Sequence, residues 1–326
     1  MKDRLLSILR EHNGFISGQE ICDRFNVSRT AVWKAVNSLK KSGYEIEAVR
    51  NKGYRLIESP DVLLADELKS LLETKWFARK ILYFESIDST NNEVKRQAEN
   101  GCDEDLLVIA ETQTAGKGRR ERHWESPAGS GIWMSFPVKP DLPPYKASMI
   151  TLVAALAVAK AIADETGLKA LIKWPNDIVV NGKKTTGILT EMSAEMTSIH
   201  YVVIGIGINV NTETFPDELK NTATSLGLET GSKIRRGGII ASFGKYFEKY
   251  YDDFCKTQDL SLIREEYEKL LVNIDKEVYI IEGENNKKRV AKGITDTGEL
   301  IVEDENGKVE NIFAGEVSVR GIYGYV

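Results

Sequence analysis

The sequence predicts an α+β chain in three parts. A basic helical head ending in a hairpin spans residues 1–60, a central domain of apolar strands and helices 61–272, and a small all-β barrel 273–326. Three observations lead there. Helix caps and helical apolar spacing crowd the first sixty residues. Long apolar runs interleave with helical stretches through the middle, and the end of the chain alternates apolar and polar residues between glycine turns.

In the head, residues 2–12 form a first helix whose apolar face is Leu5, Leu6, Ile8 and Leu9. Ser17-Gly18-Gln19-Glu20 fits a capping box that opens a second helix to Phe25. Asn26-Val27 makes the turn, and Ser28 caps a third helix reaching Lys41, with Gly43 closing it. Val32, Val36 and Leu39 fall on its inner face. Ser28, Arg29, Thr30, Trp33, Lys34 and Asn37 are left for a DNA major groove. Two short strands flank Arg50-Asn51-Lys52-Gly53, a hairpin turn that sets Arg50, Lys52 and Arg55 beside a phosphate backbone. The head therefore reads as a winged helix-turn-helix. The alternative is a small helical docking module with an ordinary charged surface.

Charge agrees with that reading. The chain of 326 residues has a formal net charge of −5, but residues 1–60 carry 11 Lys+Arg against 7 Asp+Glu, and the remainder 33 against 42. Only the head suits a polyanion. The rest of the composition, 42% hydrophobic and 29% charged, is that of a soluble globular protein. Cys22, Cys102 and Cys255 are odd in number and far apart, which speaks for a reducing compartment and against a disulfide framework or zinc site. The first residues hold no apolar signal core. The longest apolar run, 149–163, contains Lys160 and is judged too short for a bilayer, so the expected location is the cytoplasm, with no membrane partner.

Ser59-Pro60 begins the linker into the central domain. A helix is expected over 66–73 and a strand over 80–84. Ser89 or Thr90 then caps a helix running to Glu99, and capping alone would explain either residue. Helix N-termini also present free N–H groups to polar ligands. Residues 106–110 and 132–136 are buried strands, and 146–166 is a core helix ended by Gly167. Two strands meet at Pro175-Asn176-Asp177. Asn181-Gly182 is a hairpin turn, followed by Lys183-Lys184 and a returning strand over 187–191. In the central strand 201–210, Gly205 and Gly207 signal close approach of another backbone or a ligand. Helices over 235–254 and 260–271 precede the tail, whose turns fall at Gly283, Gly298 and Gly307.

The chemistry concentrates in the long loop 112–124, which carries four cations in the seven positions 116–122 and ends on Trp124. Gly116 and Gly118 let backbone N–H groups approach an anion, Arg119, Arg120 and Arg122 suit phosphate or carboxylate, and Trp124 offers a stacking face. The plainer reading is a solvated basic loop. Gly118 stands where a Walker A loop needs Ser or Thr, and Glu121 where a dinucleotide fingerprint needs its third glycine. His12, His123 and His200 are scattered, so neither a metal cage nor a histidine triad is expected. What remains is chemistry by positioning and charge stabilisation, such as nucleotidyl transfer.

Together with Lys173-Trp174-Pro175-Asn176-Asp177 and Gly205-Ile206-Gly207-Ile208-Asn209, the 112–124 loop resembles the biotin protein ligases. The winged head narrows that to the bifunctional biotin ligase/biotin operon repressor family, and the resemblance covers essentially the whole chain. It implies a class II synthetase-like mixed-sheet catalytic domain and an SH3-like C-terminal barrel. The implied reaction joins biotin to the α-phosphate of ATP, then passes it from biotinyl-5′-AMP to a lysine of a biotin carboxyl carrier domain. Acetyl-CoA carboxylase and pyruvate carboxylase would supply the acceptors. The adenylate-bound protein would form a homodimer on operator DNA. Mg2+ is expected with ATP, with no metal site built by protein alone.

By the same resemblance, Lys184 contacts the biotin carboxyl and the α-phosphate, with Lys183 the competitor if the hairpin register shifts by one. Arg119 and Asp177 complete the catalytic set, Asp177 orienting the lysine. Ser89, Thr90, Asn91 and Gln113 meet the ureido ring and the start of the biotin tail, and Gly116, Lys117 and Gly118 close over that tail. Arg119, Arg120, Arg122 and Arg320 meet phosphates, while Trp124, Asn176 and Asn209 surround adenine. Lys117 and Glu121 depart from the commonest loop motif, which has arginine and glycine there. The loop is expected to be mobile when empty and to order over the adenylate. A transcription factor that merely senses a ligand and a lipoate-attaching enzyme remain the competing functions.

Overall fold

The computed structural model describes residues 1–12, 14–282, 285–313, 318–321 and 325. The expected turn at Gly283 and the side chain of Arg320 lie outside the described residues. The chain divides into two compact units, Met1–Leu72 and Glu73–Val326.

The first unit holds α1 (Lys2–Glu11), α2 (Gly18–Phe25), α3 (Arg29–Lys41), the hairpin β1 (Glu45–Val49) and β2 (Gly53–Glu58), and α4 (Ala65–Leu71). Local chemistry sets the helix starts. Ser17 Oγ accepts from the Glu20 amide at 3.1 Å and Ser28 Oγ from the Ala31 amide at 3.2 Å, each satisfying an otherwise unpaired donor. Asn26 ends α2 in the left-handed region. Gly53 combines a φ of +108° with contact so close that a Cβ would fall 1.9 Å from Ile16 O, so no side chain fits there. Helix α4 belongs to this unit, beyond the expected boundary at residue 60. Its Glu67, 2% exposed, accepts from Arg10 at 2.6 and 2.7 Å and from the Tyr44 hydroxyl at 2.5 Å. A buried carboxylate needs this full set of partners.

The second unit is built on a seven-stranded mixed sheet, order β3-β4-β5-β9-β8-β7-β6. Its strands are β3 (Lys80–Ile87), β4 (Leu106–Gln113), β5 (Gly131–Val138), β6 (Leu171–Lys173), β7 (Asp177–Val180), β8 (Lys183–Ala194) and β9 (Ile199–Asn209). Strands β3 and β4 pair in parallel and the remaining pairs are antiparallel. Successive residues of a strand face opposite sides. On β8, Thr190 bonds Thr151 of α6 (Met149–Thr166) at 2.8 Å, while Glu191 bonds Asn91 of α5 (Thr90–Glu99) at 2.7 Å. The two helices therefore cover opposite faces.

Beside α6 packs α8 (Arg236–Thr257), whose Phe243 and Phe247 meet Phe136 of β5 and Phe77 edge to face or tilted. Glu248 of α8 accepts the Lys75, Trp76 and Phe77 amides at 2.9, 2.6 and 2.8 Å, fixing the start of the unit. A short helix, α7 (Leu226–Thr230), was not expected from the sequence, and α9 (Arg264–Leu270) starts later than expected. The tail is an antiparallel sheet, order β13-β12-β11-β10-β14, comprising β10 (Glu277–Glu282), β11 (Asn285–Ile294), β12 (Leu300–Glu303), β13 (Val309–Ile312) and β14 (Ser318–Gly321). With the mixed sheet and its helices, the chain is α+β, as expected.

One expectation is corrected. Pro144–Thr166 is long and apolar enough, by length and composition, to cross a membrane, because the helix runs past Ala163 to its stop at Gly167. The window is 78% buried among the sheet and α8, which accounts for its hydrophobicity as core.

Candidate active site and nucleic-acid interface

In the second unit a cleft of about 460 Å³, counted to its open mouth, lies on the α5 side of β8 and β9. Of the sequence-selected residues, Ser89, Thr90, Asn91, Gln113, Lys117, Gly118, Arg119, Trp124, Asn176 and Lys184 line it.

The buried end is a hydrogen-bond chain. Gln113 Oε1 accepts from the Thr90 amide at 2.8 Å and the Thr90 hydroxyl at 3.0 Å, and Gln113 Nε2 donates to Ser126 Oγ at 2.9 Å. Thr90 Oγ1 lies 2.7 Å from Ser135 Oγ, which donates to Asn91 Oδ1 at 2.5 Å. Capping by Ser89 is not what the structure contains. Ser89 occupies the N-cap position with no side-chain cap bond, and Gln113 from β4 takes that role across the sheet.

The two glycines of β9 make room for side chains and not for a backbone. A Cβ at Gly205 would fall 2.0 Å from Asn91 Oδ1, and one at Gly207 would fall 2.6 Å from Trp124 Nε1. Gly187, paired with Gly207 across β8 and β9, would bring a Cβ to 2.9 Å from the same indole. Trp124 therefore sits in a slot made by two glycines, half-buried, with its Nε1 shielded and without a hydrogen-bond partner.

Lys184 is at the mouth. The hairpin turn at Asn181-Gly182 has φ of 50° and 78°, and a bulge at Ile178/Val179 sets Val179 opposite Lys184. Segment 222–224 then clamps its backbone, Lys184 N donating to Thr222 O at 2.8 Å and Thr224 N to Lys184 O at 2.9 Å. Lys184 Nζ lies 2.6 Å from Asp177 Oδ1 and 5.3 Å from the Trp124 ring centroid. Lys183 points elsewhere, donating to Lys220 O at 3.1 Å. Both lysines thus have partners. Asp177 also accepts from the Tyr325 hydroxyl, and Lys173 Nζ, on a 5% exposed residue, lies 3.4 Å from the Tyr325 ring centroid. Arg119 donates to Asn176 Oδ1 at 2.9 Å, and burial lowers its pKa, a cost of holding a cation in the cleft.

The remaining selected residues stand apart. Asn209 is buried but donates to Thr224 O at 3.4 Å, away from the cleft, because it ends β9 where the strand meets the loop. Arg120 and Arg122 are exposed and do not line the cleft. Gly116 is packed so tightly that a Cβ would lie 2.3 Å from Trp124 O, whereas Gly118 has room. The left-handed positions of the loop are Arg120 (φ 58°) and Glu121 (φ 57°), not the glycines. Arg320 sits on β14 opposite Tyr279.

Sequence reading missed Ser135, Glu191, Lys95 and Tyr325. A lone serine within the fully buried 132–136 run was the one visible signal, since a buried hydroxyl requires partners. Among the described residues no group of three or more His, Cys, Asp or Glu is placed to hold a metal ion.

In the first unit, α3 buries Val32, Ala35, Val36 and Leu39 and leaves Arg29, Thr30, Lys34 and Trp33 (58% exposed) outward, with Asn37 half-buried. Ser28 is a cap, and Arg29 is braced on Gln19 Oε1 at 2.8 Å. Arg50 and Lys52 project from the hairpin turn. Arg55 pairs with Glu47 at 2.6 Å and lies 4.8 Å from the Phe15 ring centroid, which ties the wing to the segment before α2.

Comparison with known proteins bears on both units. The biotin/lipoate A/B protein ligase family matches residues 83–209, an HTH domain 2–55, and the biotin protein ligase C terminal domain 274–320. The chain is 42% identical to the bifunctional ligase/repressor BirA of Bacillus subtilis, over 98% of each chain. It is 28% identical to that of Escherichia coli, over 98% of this chain and 99% of the relative. A solved biotin protein ligase from Aquifex aeolicus, in complex with biotin and ATP, superposes with a TM-score of 0.65 at 28% identity, covering 74% of this chain and 99% of that one.

Proposed function

This chain belongs to the family of bifunctional biotin ligases and biotin repressors, and from that premise we propose how its residues divide the work. The observation that carries the reading is the Lys184 Nζ–Asp177 Oδ1 pair, 2.6 Å apart at the mouth of a cleft whose far end is a buried hydrogen-bonding wall. The biotin headgroup enters the buried end against Ser89, Thr90, Asn91 and Gln113, and its carboxylate tail runs toward Lys184.

ATP enters as its magnesium complex, the metal carried by the phosphates. A carboxylate oxygen attacks the α-phosphorus, the bond to the bridging oxygen breaks, and pyrophosphate leaves. Two anions must meet for this, so Lys184 and Arg119 offset the repulsion and stabilise charge in the transition state. Asp177, 2.6 Å from Lys184 Nζ, keeps the lysine aimed at that point. Arg120 and Arg122 take the leaving phosphates as the loop closes, Lys117 and Gly118 cover the tail, and Trp124 and Asn176 border adenine.

In the second half-reaction the ε-amino group of a lysine on a carboxylase carrier domain attacks the acyl carbon. The amine loses its proton and AMP leaves. Without an acceptor the adenylate stays bound, the protein forms a homodimer, and α3 with the wing occupies an operator. Acetyl-CoA and pyruvate carboxylase carriers are the proposed acceptors, and the reaction is placed in the cytoplasm.

The test is pyrophosphate release with biotin and ATP, followed by transfer of labelled biotin to a carrier domain, in wild type and Lys184→Ala. Loss of the first half-reaction in the variant is expected. Absence of adenylate formation in wild type under saturating reagents, or turnover with lipoate alone, would reject the reading.

A further inference from the structure

The hydrogen-bond chain at the buried end has a direction, and the direction is fixed from outside the cleft. Lys95 Nζ lies 2.6 Å from Glu191 Oε1, and Glu191 Oε2 accepts from Asn91 Nδ2 at 2.7 Å. Burial raises the Glu191 pKa, but the bonds from Lys95 and Asn91 outweigh it and hold it below the ordinary glutamate value, so the group is ionised at neutral pH.

An ionised carboxylate only accepts hydrogen bonds. Asn91 must therefore turn its nitrogen to Glu191, where Leu189 O at 3.4 Å is a second acceptor, and its oxygen to Ser135. Ser135 spends its one proton on Asn91 Oδ1 at 2.5 Å. Gln113 Oε1 already receives the Thr90 amide at 2.8 Å, so that group is fixed as an acceptor as well. With the Ser135 proton spent, the 2.7 Å contact between the two hydroxyls requires the Thr90 proton, so Thr90 donates to Ser135 and none is left for a ligand. Thr90 thus meets the cleft with lone pairs alone. The chain exists only because position 205 has no side chain, since a Cβ there would lie 2.0 Å from Asn91 Oδ1.

We propose that Glu191, held by Lys95, is a specificity-determining positioning residue that polarises the Asn91–Ser135–Thr90 chain and so selects a ligand headgroup bringing an N–H. The inference rests on the ligase reading and sharpens it. The ureido ring of biotin carries two N–H groups, whereas the dithiolane ring of lipoate carries none.

The test uses the full chain and calorimetric affinity for biotin and for its two cyclic carbamate analogues, each with one ring N–H replaced by oxygen. In Glu191→Gln the side-chain oxygen is drawn to Lys95, which turns the new amide nitrogen toward Asn91 and reverses the chain. Wild type is expected to bind biotin at least about tenfold more tightly than the weaker analogue, and Glu191→Gln to lose roughly tenfold in biotin affinity along with most of that discrimination. The charge swap K95E/E191K keeps an ion pair but sets a donor against Asn91, and is expected to bind biotin no better than Glu191→Gln. Wild-type affinity in the swap would make the pair merely structural and overturn the proposal. Unchanged affinity and discrimination in Glu191→Gln would overturn it too, whether or not the swap folds. If wild type itself binds no biotin, the ligase reading fails first and this inference with it.

Discussion

At the buried end of the cleft Thr90, Asn91 and Ser135 are bonded to one another, whereas Arg120 and Arg122, outside the cleft lining, stand in solvent on a loop with two left-handed non-glycine residues. The buried end is complete before any ligand arrives, so it selects by shape and hydrogen-bond direction. On the proposed mechanism the exposed loop recruits by charge and takes its final form around the polyphosphate. A tight mixed anhydride site profits from both, because rigid recognition fixes the acyl donor while a closing cationic loop excludes water. Lys184 is held independently of both, its backbone by segment 222–224 and its side chain by Asp177.

Substitutions at Lys184 and at each end sharpen that contrast. The largest effect is expected for Lys184→Ala, with pyrophosphate release falling by about a thousandfold, against a change below about threefold for Lys183→Ala. Retained activity in Lys184→Ala would move the assignment to Lys183. Next is Gly207→Ala, whose Cβ meets Trp124 Nε1 at 2.6 Å. Displacing the indole should weaken adenylate binding by about tenfold and cost about 1–3 kcal/mol in denaturant unfolding. A neutral outcome would mean that the slot is not rigid.

Smaller effects belong to the exposed end. Arg120→Ala and Arg122→Ala should raise the KM for ATP severalfold, most at low salt, with biotin affinity unchanged. An equal loss of biotin affinity would break the division between the two ends. The 112–124 loop should also gain protease protection when biotin and ATP are added together. The smallest effect is Glu121→Gly, which removes a side chain from a φ of 57° and should shift stability by less than about 1 kcal/mol, read as a small rise in Tm.

Much of the fold was legible because its signals are local. Ser17 and Ser28 cap helices with the side-chain bonds their positions imply, Gly167 ends α6, and Asn181-Gly182 turns a hairpin. Each depends on the conformation of a few neighbouring residues. The site was legible as a set of residue types and only partly as geometry. Ser89 looked like a cap, but the cap is Gln113, which lies 23 positions beyond Thr90 and accepts from its amide. Asn209 resembled a cleft residue and instead closes a loop onto Thr224. Glu191 and Lys95 carried no signal at all, since an exposed-looking strand glutamate and a helix lysine meet only after β8 and α5 pack.

The sequence by itself determined the caps and turns that set most of the elements, which residues avoid water, and which loop carries clustered positive charge. These follow from backbone propensity, side-chain hydrophobicity and formal charge, all properties of short segments. Only the tertiary structure decided that Lys184 and not Lys183 faces Asp177, that Trp124 fills a slot between Gly187 and Gly207, and which way the Asn91–Ser135–Thr90 chain points. Those outcomes turn on a strand register with a bulge and on contacts between residues tens of positions apart. A hydrogen bond acquires its direction only when both partners, and the partners beyond them, are in place.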